Sequence, residues 1–233
     1  NVGKSTLFNA LVGQKLSITS EKPQSTRDRI VGIRTTDDTQ MVLLDTPGLL
    51  EPRYELQRVM RSTALNALAN ADVVVYVTDA TLGPPPGLEQ AASLRSPAGL
   101  HVITVLNKID RLSNEERRAL VAHVPDAIPF SALTGEGADV LLSAIEQRLP
   151  ESPFLYPEDD ISTQTLRFFA AELIRETALA SGNYQAVFSR EQLLEGRAPG
   201  PLGRLAINGY NGERGGDLVL MAKPYLVPGT GKT

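Results

Sequence analysis

The chain has 233 residues, of which 42% are hydrophobic and 21% charged, with a formal net charge of -4. That length holds one full α/β domain plus a smaller piece, and the acidic balance excludes a protein that coats nucleic acid by bulk charge while leaving local basic patches open. Cysteine is absent, which excludes disulfides and thiolate metal sites and fits a reducing cytosol; no apolar run approaches the ~20 residues of a membrane span.

The opening Asn1-Val2-Gly3-Lys4 reads as the middle of a motif, so the natural N-terminus is expected to precede it. Gly3-Lys4-Ser5-Thr6 then opens a helix through Leu11. Backbone N–H groups at such a helix start can hold phosphate oxygens, with the Lys4 ammonium on the β- and γ-phosphates and the Ser5 hydroxyl on Mg²⁺. The alternative is a helix that merely begins with Gly-Lys-Ser. The loop Gln24 to Arg29 follows, where a threonine could close over Mg²⁺ and the γ-phosphate. Thr26 is the choice for that role, with Ser25 competing and an ordinary polar loop as the bland reading.

Met41 to Leu44 is a short apolar run, expected as one strand of a largely parallel sheet. Asp45-Thr46-Pro47-Gly48 follows it directly. There the Asp45 carboxylate can hold a Mg²⁺-bound water and the Gly48 N–H can face a γ-phosphate, although a plain Pro-Gly turn would look the same in isolation. Tyr54 to Ala71 has helical spacing, and Val73 to Val77 and Val102 to Leu106 read as two further buried strands. Asn107-Lys108-Ile109-Asp110 closes the second of these. An aspartate at position 110 can accept from guanine N1–H and the 2-amino group, a pair that adenine lacks; the alternative is a helix-capping aspartate. Ser113 to Val124 is expected to be helical. Ser131-Ala132-Leu133, after Ile128-Pro129-Phe130, can bring a backbone N–H to guanine O6. Ala138 to Leu149 completes the helices of residues 1–150. His101 and His123 fall at a strand approach and a helix end rather than in a site.

Strands alternating with helices imply a doubly wound α/β fold, which binds ligands at the carboxyl ends of its strands. All four motifs fall there, in the order of a Ras-like P-loop GTPase. A proline-bearing linker, Leu149 to Pro153, leads to a helix over Leu166 to Ala180. Residues 181–233 hold ten of the nineteen glycines, and only Arg204 to Ile207 and Asp217 to Ala222 look like strands there, so this tail is expected to be small and irregular.

Asn1 to Leu7, Gly13 to Ser20, Gln24 to Gly32, Asp45 to Leu49 and Asn107 to Asp110 together resemble the Era family of bacterial ribosome-assembly GTPases. The segments Phe154 to Asp159 and Arg167 to Glu176 resemble it too, so the likeness runs through residue 180. The resemblance implies a GTPase domain at 1–150 whose first, central strand is truncated, and at 151–180 a linker with the first helix of a KH-type RNA-binding domain. It implies Mg²⁺ as cofactor and GTP and GDP as ligands, with 16S ribosomal RNA and the 30S subunit as partners of the family. It also implies a cytoplasmic monomer and keeps peripheral association at the inner membrane open. Lys4, Thr26 and Gly48 would serve the chemistry. Asn1, Val2, Gly3, Lys4, Ser5, Thr6, Asp45, Gly48, Asn107, Lys108, Asp110, Ser131, Ala132 and Leu133 would bind the nucleotide, with Ser5, Thr26 and Asp45 serving the metal. Asn1 resembles the asparagine that coordinates K⁺ in related GTPases, against an ordinary polar loop residue. Leu49 stands where Ras-like enzymes carry a water-positioning glutamine.

The tail departs from the family. Gly209-Tyr210-Asn211-Gly212 and Gly212-Glu213-Arg214-Gly215 have the bare Gly-x-x-Gly spacing, but a strand rather than a helix is expected after them, so neither is read as an RNA clamp. Residues 183–226 weakly resemble part of an alkaline phosphatase or phosphodiesterase. With one aspartate and no histidine, they cannot build that family's metal site alone.

Overall fold

The computed structural model describes residues 2–17, 19, 29–49, 55–93, 101–181, 183–196, 200–209 and 218–222. It divides into two compact units, Asn1–Thr163 and Gln164–Thr233.

In the first unit α1 (Lys4–Val12) starts directly after Gly3, which is left-handed at φ 91°, and stops at Gly13, left-handed at φ 80°, whose N–H returns to the Asn9 carbonyl. Two glycines thus set both ends of the helix. β1 (Ile30–Thr35) and β2 (Gln40–Asp45) pair antiparallel, Ile30 opposite Asp45 and Thr35 opposite Gln40. This corrects the expectation for Met41 to Leu44: the run is a strand, but it runs antiparallel to β1. The five-residue step from Thr35 to Gln40 closes a tight reversal, which only antiparallel strands permit. After α2 (Glu55–Ala69) come β3 (Val73–Asp79), α3 (Leu88–Ala92), β4 (His101–Asn107), α4 (Asn114–His123), β5 (Ile128–Pro129) and α5 (Ala138–Glu146). β3, β4 and β5 form a three-stranded parallel sheet, with Val73 opposite His101 and Asp79 opposite Asn107. The two sheets share one apolar core: Leu7 and Leu11 of α1 meet Met41, Val77, Ile103, Val105, Phe130, Leu141 and Ile145.

α4 begins with a capping box in which the Ser113 hydroxyl accepts from the Glu116 N–H and the Glu116 carboxylate accepts from the Ser113 N–H. These bonds hold the Glu116 carboxyl below its ordinary value. Segment 155–162 lies along the edge of the β1–β2 pair. The Gln40 side chain accepts from the Leu155 and Tyr156 amides and donates to the Tyr156 carbonyl, and the Ile33 N–H donates to the Ile161 carbonyl at 2.9 Å.

The second unit contains α6 (Leu166–Ala180), β6 (Tyr184–Ser189), α7 (Arg190–Leu194), α8 (Gly200–Gly209) and β7 (Leu218–Ala222), with β6 and β7 antiparallel. Arg204 to Ile207, expected as a strand, lies inside α8. Leu202 and Ala206, four residues apart, share one helical face and pack on Phe188 and Leu193. Most of both Gly-x-x-Gly matches lies outside the described residues, and the next element among the described residues is the strand β7.

Candidate functional site

The candidate residues converge on the carboxyl ends of β2, β3, β4 and β5 and on the start of α1. Gly3 is the pivot. Its left-handed φ is one that L side chains rarely adopt, and a Cβ there would collide with Asn107 Nδ2. The glycine therefore serves backbone conformation and close approach together.

Asn107 is 2% exposed and joins three segments. Its Nδ2 donates to the Val2 carbonyl at 2.8 Å and its Oδ1 accepts from the Ala132 N–H at 2.9 Å. The segment leading into α1 and the segments at 107–110 and 131–133 are thus one hydrogen-bonded assembly, and a guanine O6 would have to share the Ala132 N–H with Asn107. Ser131, fully buried, donates from Oγ to Asp110 Oδ1 at 2.6 Å, while its Oγ accepts from the Thr134 N–H. The Ile109 N–H reaches the Phe130 carbonyl. Gly137, left-handed at φ 86°, starts α5 so close to β5 that a Cβ would strike the Pro129 carbonyl oxygen. Leu133, by contrast, is 80% exposed, so its side chain takes no part in this packing.

At the other end, Asp45 is buried at the end of β2 and its Oδ2 accepts from Ser5 Oγ at 2.7 Å and from Ser17 Oγ at 2.6 Å. Ser17 is held in turn by Asn9, whose Oδ1 accepts from the Leu16 and Ser17 amides and whose Nδ2 donates to the Ser17 carbonyl. A hydroxyl and a carboxylate at a helix N-terminus suit Mg²⁺ on a nucleotide, because that ion keeps several waters and takes hard oxygen ligands. Among the described residues there is no cluster of three or more His, Cys, Asp or Glu, and a phosphate-borne Mg²⁺ needs none. Asn1 and Thr26 lie outside the described residues. Thr6 follows Ser5 in the first turn of α1, and Gly48 follows the buried Pro47 in a segment without regular secondary structure after β2. The partly buried Leu49 side chain packs against Val74 and Leu88.

Three participants were not singled out in the sequence. Asn9 and Ser17 brace Asp45. Asp79, at the end of β3, binds the Lys108 ammonium at 2.5 Å. Burial alone would push the Asp79 carboxyl up, but its hydrogen bonds to Lys108 and Thr81 outweigh that and leave it below the ordinary aspartate value. The only sequence signal for it was Asp-x-Thr ahead of a short turn, an N-cap pattern. His101 opens β4, and His123 ends α4 with its Nδ1 2.7 Å from the Ala119 carbonyl; neither is at the site.

This fold and these strand-end segments define a P-loop GTPase domain of the Ras-like class. Residues 1–108 match the family described as 50S ribosome-binding GTPase. GTPase Era of Synechocystis sp. is 44% identical over 189 residues, covering 77% of this chain and 59% of that protein. GTPase Era of Ectopseudomonas mendocina is 43% identical, covering 76% and 61%. A solved variant of Aquifex aeolicus Era bound to GDP and AlF4⁻ superposes with a TM-score of 0.73 at 37% identity, over 81% of this chain and 68% of that one. An Era solved with MgGDPNP and nucleotides 1506–1542 of 16S ribosomal RNA gives a TM-score of 0.71 at 39% identity, over 77% of this chain and 63% of that one. The chain belongs to the Era family of GTPases. It spans about three-fifths of the length of the curated relatives it matches.

Proposed function

We propose that the chain binds GTP and GDP and hydrolyses GTP to GDP and phosphate, as the nucleotide-binding part of an Era-type protein that acts in small-subunit maturation. The observation that supports this best is the Asn107 bridge, which makes the phosphate-binding and base-binding segments one unit. The loop amides from Val2 to Thr6 and the Lys4 ammonium hold phosphate oxygens and stabilise charge that develops during phosphoryl transfer. Mg²⁺, when bound, would offset negative charge on the nucleotide's phosphates. Ser5 and Thr26 would ligate it, and Asp45 would hold one of its waters. The Gly48 N–H faces the γ-phosphate. Asp110 reads guanine N1–H and the 2-amino group, Ser131 fixes that carboxylate, and Lys108 and the 131–133 amides complete the base site. Asn1 is proposed as a K⁺ ligand. The chain is proposed to act as a cytoplasmic monomer, with peripheral contact to the inner membrane left open.

With leucine at position 49, no glutamine orients the attacking water from that position. Hydrolysis by the isolated chain is therefore expected to be slow, on the order of 10⁻⁴ s⁻¹ as in unassisted Ras-like enzymes. Multiple-turnover phosphate release with Mg²⁺ tests this. Release that continues past one equivalent with GTP but not ATP supports the hydrolase. Tight GTP binding with no release would leave only a nucleotide-gated binding module.

Binding of 16S RNA is expected to be far weaker than in a full-length Era. Residues 181–233 carry six basic side chains against four acidic ones, too slight an excess for strong counterion-driven binding. Phe188 is 1% exposed and packed in its own core, so it offers no stacking platform. A salt titration against a small-subunit 3′-end RNA checks this. Tight, sequence-selective binding at physiological salt would overturn it.

A further inference from the structure

Asp79 ends β3 directly opposite Asn107 in the parallel register, one residue before Lys108. Its two oxygens are divided between two tasks. Oδ2 takes the Lys108 ammonium at 2.5 Å, while Oδ1 accepts from the Thr81 N–H at 3.1 Å and the Thr81 hydroxyl at 2.7 Å. The carboxylate is thus fixed before it meets the lysine. Both side chains are largely withdrawn from solvent, at 22% exposure for Lys108 and 11% for Asp79, so the pair is less screened than a surface ion pair. Lys108 also has a positive φ of 68°, one of only two described non-glycine residues that do. A backbone conformation this uncommon for a lysine aims the side chain in a set direction, and the ion pair at its tip holds it there.

We propose that Asp79 is a positioning residue for guanine-nucleotide binding, which pre-orders the Lys108 side chain at the base site. This rests on the reading of residues 107–110 as the base-recognition segment. A lysine without this ion pair would keep more rotamer freedom to lose on each binding event, a cost that corresponds to roughly 5- to 30-fold in affinity. Because Lys108 belongs to the base site, GDP and GTP are affected alike.

The competing role for Asp79 is to cap the turn Ala80–Leu82 through Thr81. Asp79→Asn separates the two, because its amide oxygen can still accept from Thr81 while the charge that holds Lys108 is gone. Dissociation constants for GDP and GTP, with ligand-free unfolding midpoints, would be measured for the full chain, Asp79→Asn, Asp79→Glu, Lys108→Ala and the double variant Asp79→Asn/Lys108→Ala. The expected result is an equal 5- to 30-fold weakening of both nucleotides in Asp79→Asn with little change in midpoint. Partial rescue in Asp79→Glu is expected, and no further loss when Asp79→Asn is added to Lys108→Ala. Unchanged affinity in Asp79→Asn, or the same fold-loss on the Lys108→Ala background, would overturn the proposal while leaving the nucleotide site intact. Failure of the unsubstituted chain to bind any guanine nucleotide would instead refute the base-site reading, and the proposal with it.

Discussion

Asp110→Asn is expected to weaken GTP binding by about 100-fold or more and to move the preference towards XTP. In the proposed site the carboxylate would accept two hydrogen bonds from guanine, and bonds to a charged group contribute about 1.5–3 kcal/mol each. An asparagine can still accept from N1–H through its oxygen, but its amide nitrogen then meets the guanine 2-amino group donor to donor. Xanthine carries a carbonyl at that carbon, which accepts from the same nitrogen. Ser131 keeps the new side chain in register, since its hydroxyl donates to Asp110 Oδ1 at 2.6 Å and would find the asparagine oxygen there. Competition between labelled GDP and increasing GTP or XTP gives the ratio directly. An Asp110→Asn protein that keeps full GTP affinity would remove Asp110 from the base site.

Lys4→Ala and Ser5→Ala are expected to reduce Mg²⁺-dependent nucleotide binding by at least 100-fold each, through different losses. The first would remove the proposed cation on the β- and γ-phosphates, leaving their charge to backbone amides and the helix start alone. The second would remove the proposed metal ligand and also a donor to Asp45, a buried carboxylate that would keep Ser17 as a hydroxyl donor. The Mg²⁺ dependence should therefore separate them, with Ser5→Ala the less responsive to added Mg²⁺. Equilibrium binding of GTP across a Mg²⁺ series, with circular dichroism to establish folding, checks both. Unchanged affinity in a folded Lys4→Ala protein would contradict the phosphate-loop assignment.

The proposed phosphate and guanine sites were legible in the sequence because each demands particular residue types at a strand end. Lys4 and Ser5 at a helix start, Asp45 after an apolar run and Asp110 after another are local patterns, and the structure brings their segments together as one assembly. The bracing residues have no such pattern. Ser17 meets Asp45 across 28 positions and Asp79 meets Lys108 across 29, pairings that exist only once the strands are in register. Strand direction was equally hidden. Met41 to Leu44 is apolar whether its neighbour runs parallel or antiparallel, and β1 carries Gly32 and Arg34 within an otherwise β-branched run. Gly32 is where α1 lies closest, since a Cβ there would meet Phe8 and Val12. In the second unit, Arg204 to Ile207 is too short to separate a period of two from one of 3.6. The spacing of Leu202 and Ala206 carried the helical signal, against Gly203 as an apparent breaker.

The most direct test of the central claim is the thermal-unfolding midpoint of the chain with Mg²⁺ and saturating GDP, GTP or ATP. A ligand that binds only the folded state at 100 times its dissociation constant adds about 2.7 kcal/mol to stability, which is several degrees for a domain of this size. The expected result is a rise of that order with GDP and GTP and none with ATP. A midpoint unmoved by guanine nucleotides, or raised equally by ATP, would contradict the assignment of this chain as a guanine-nucleotide-binding domain.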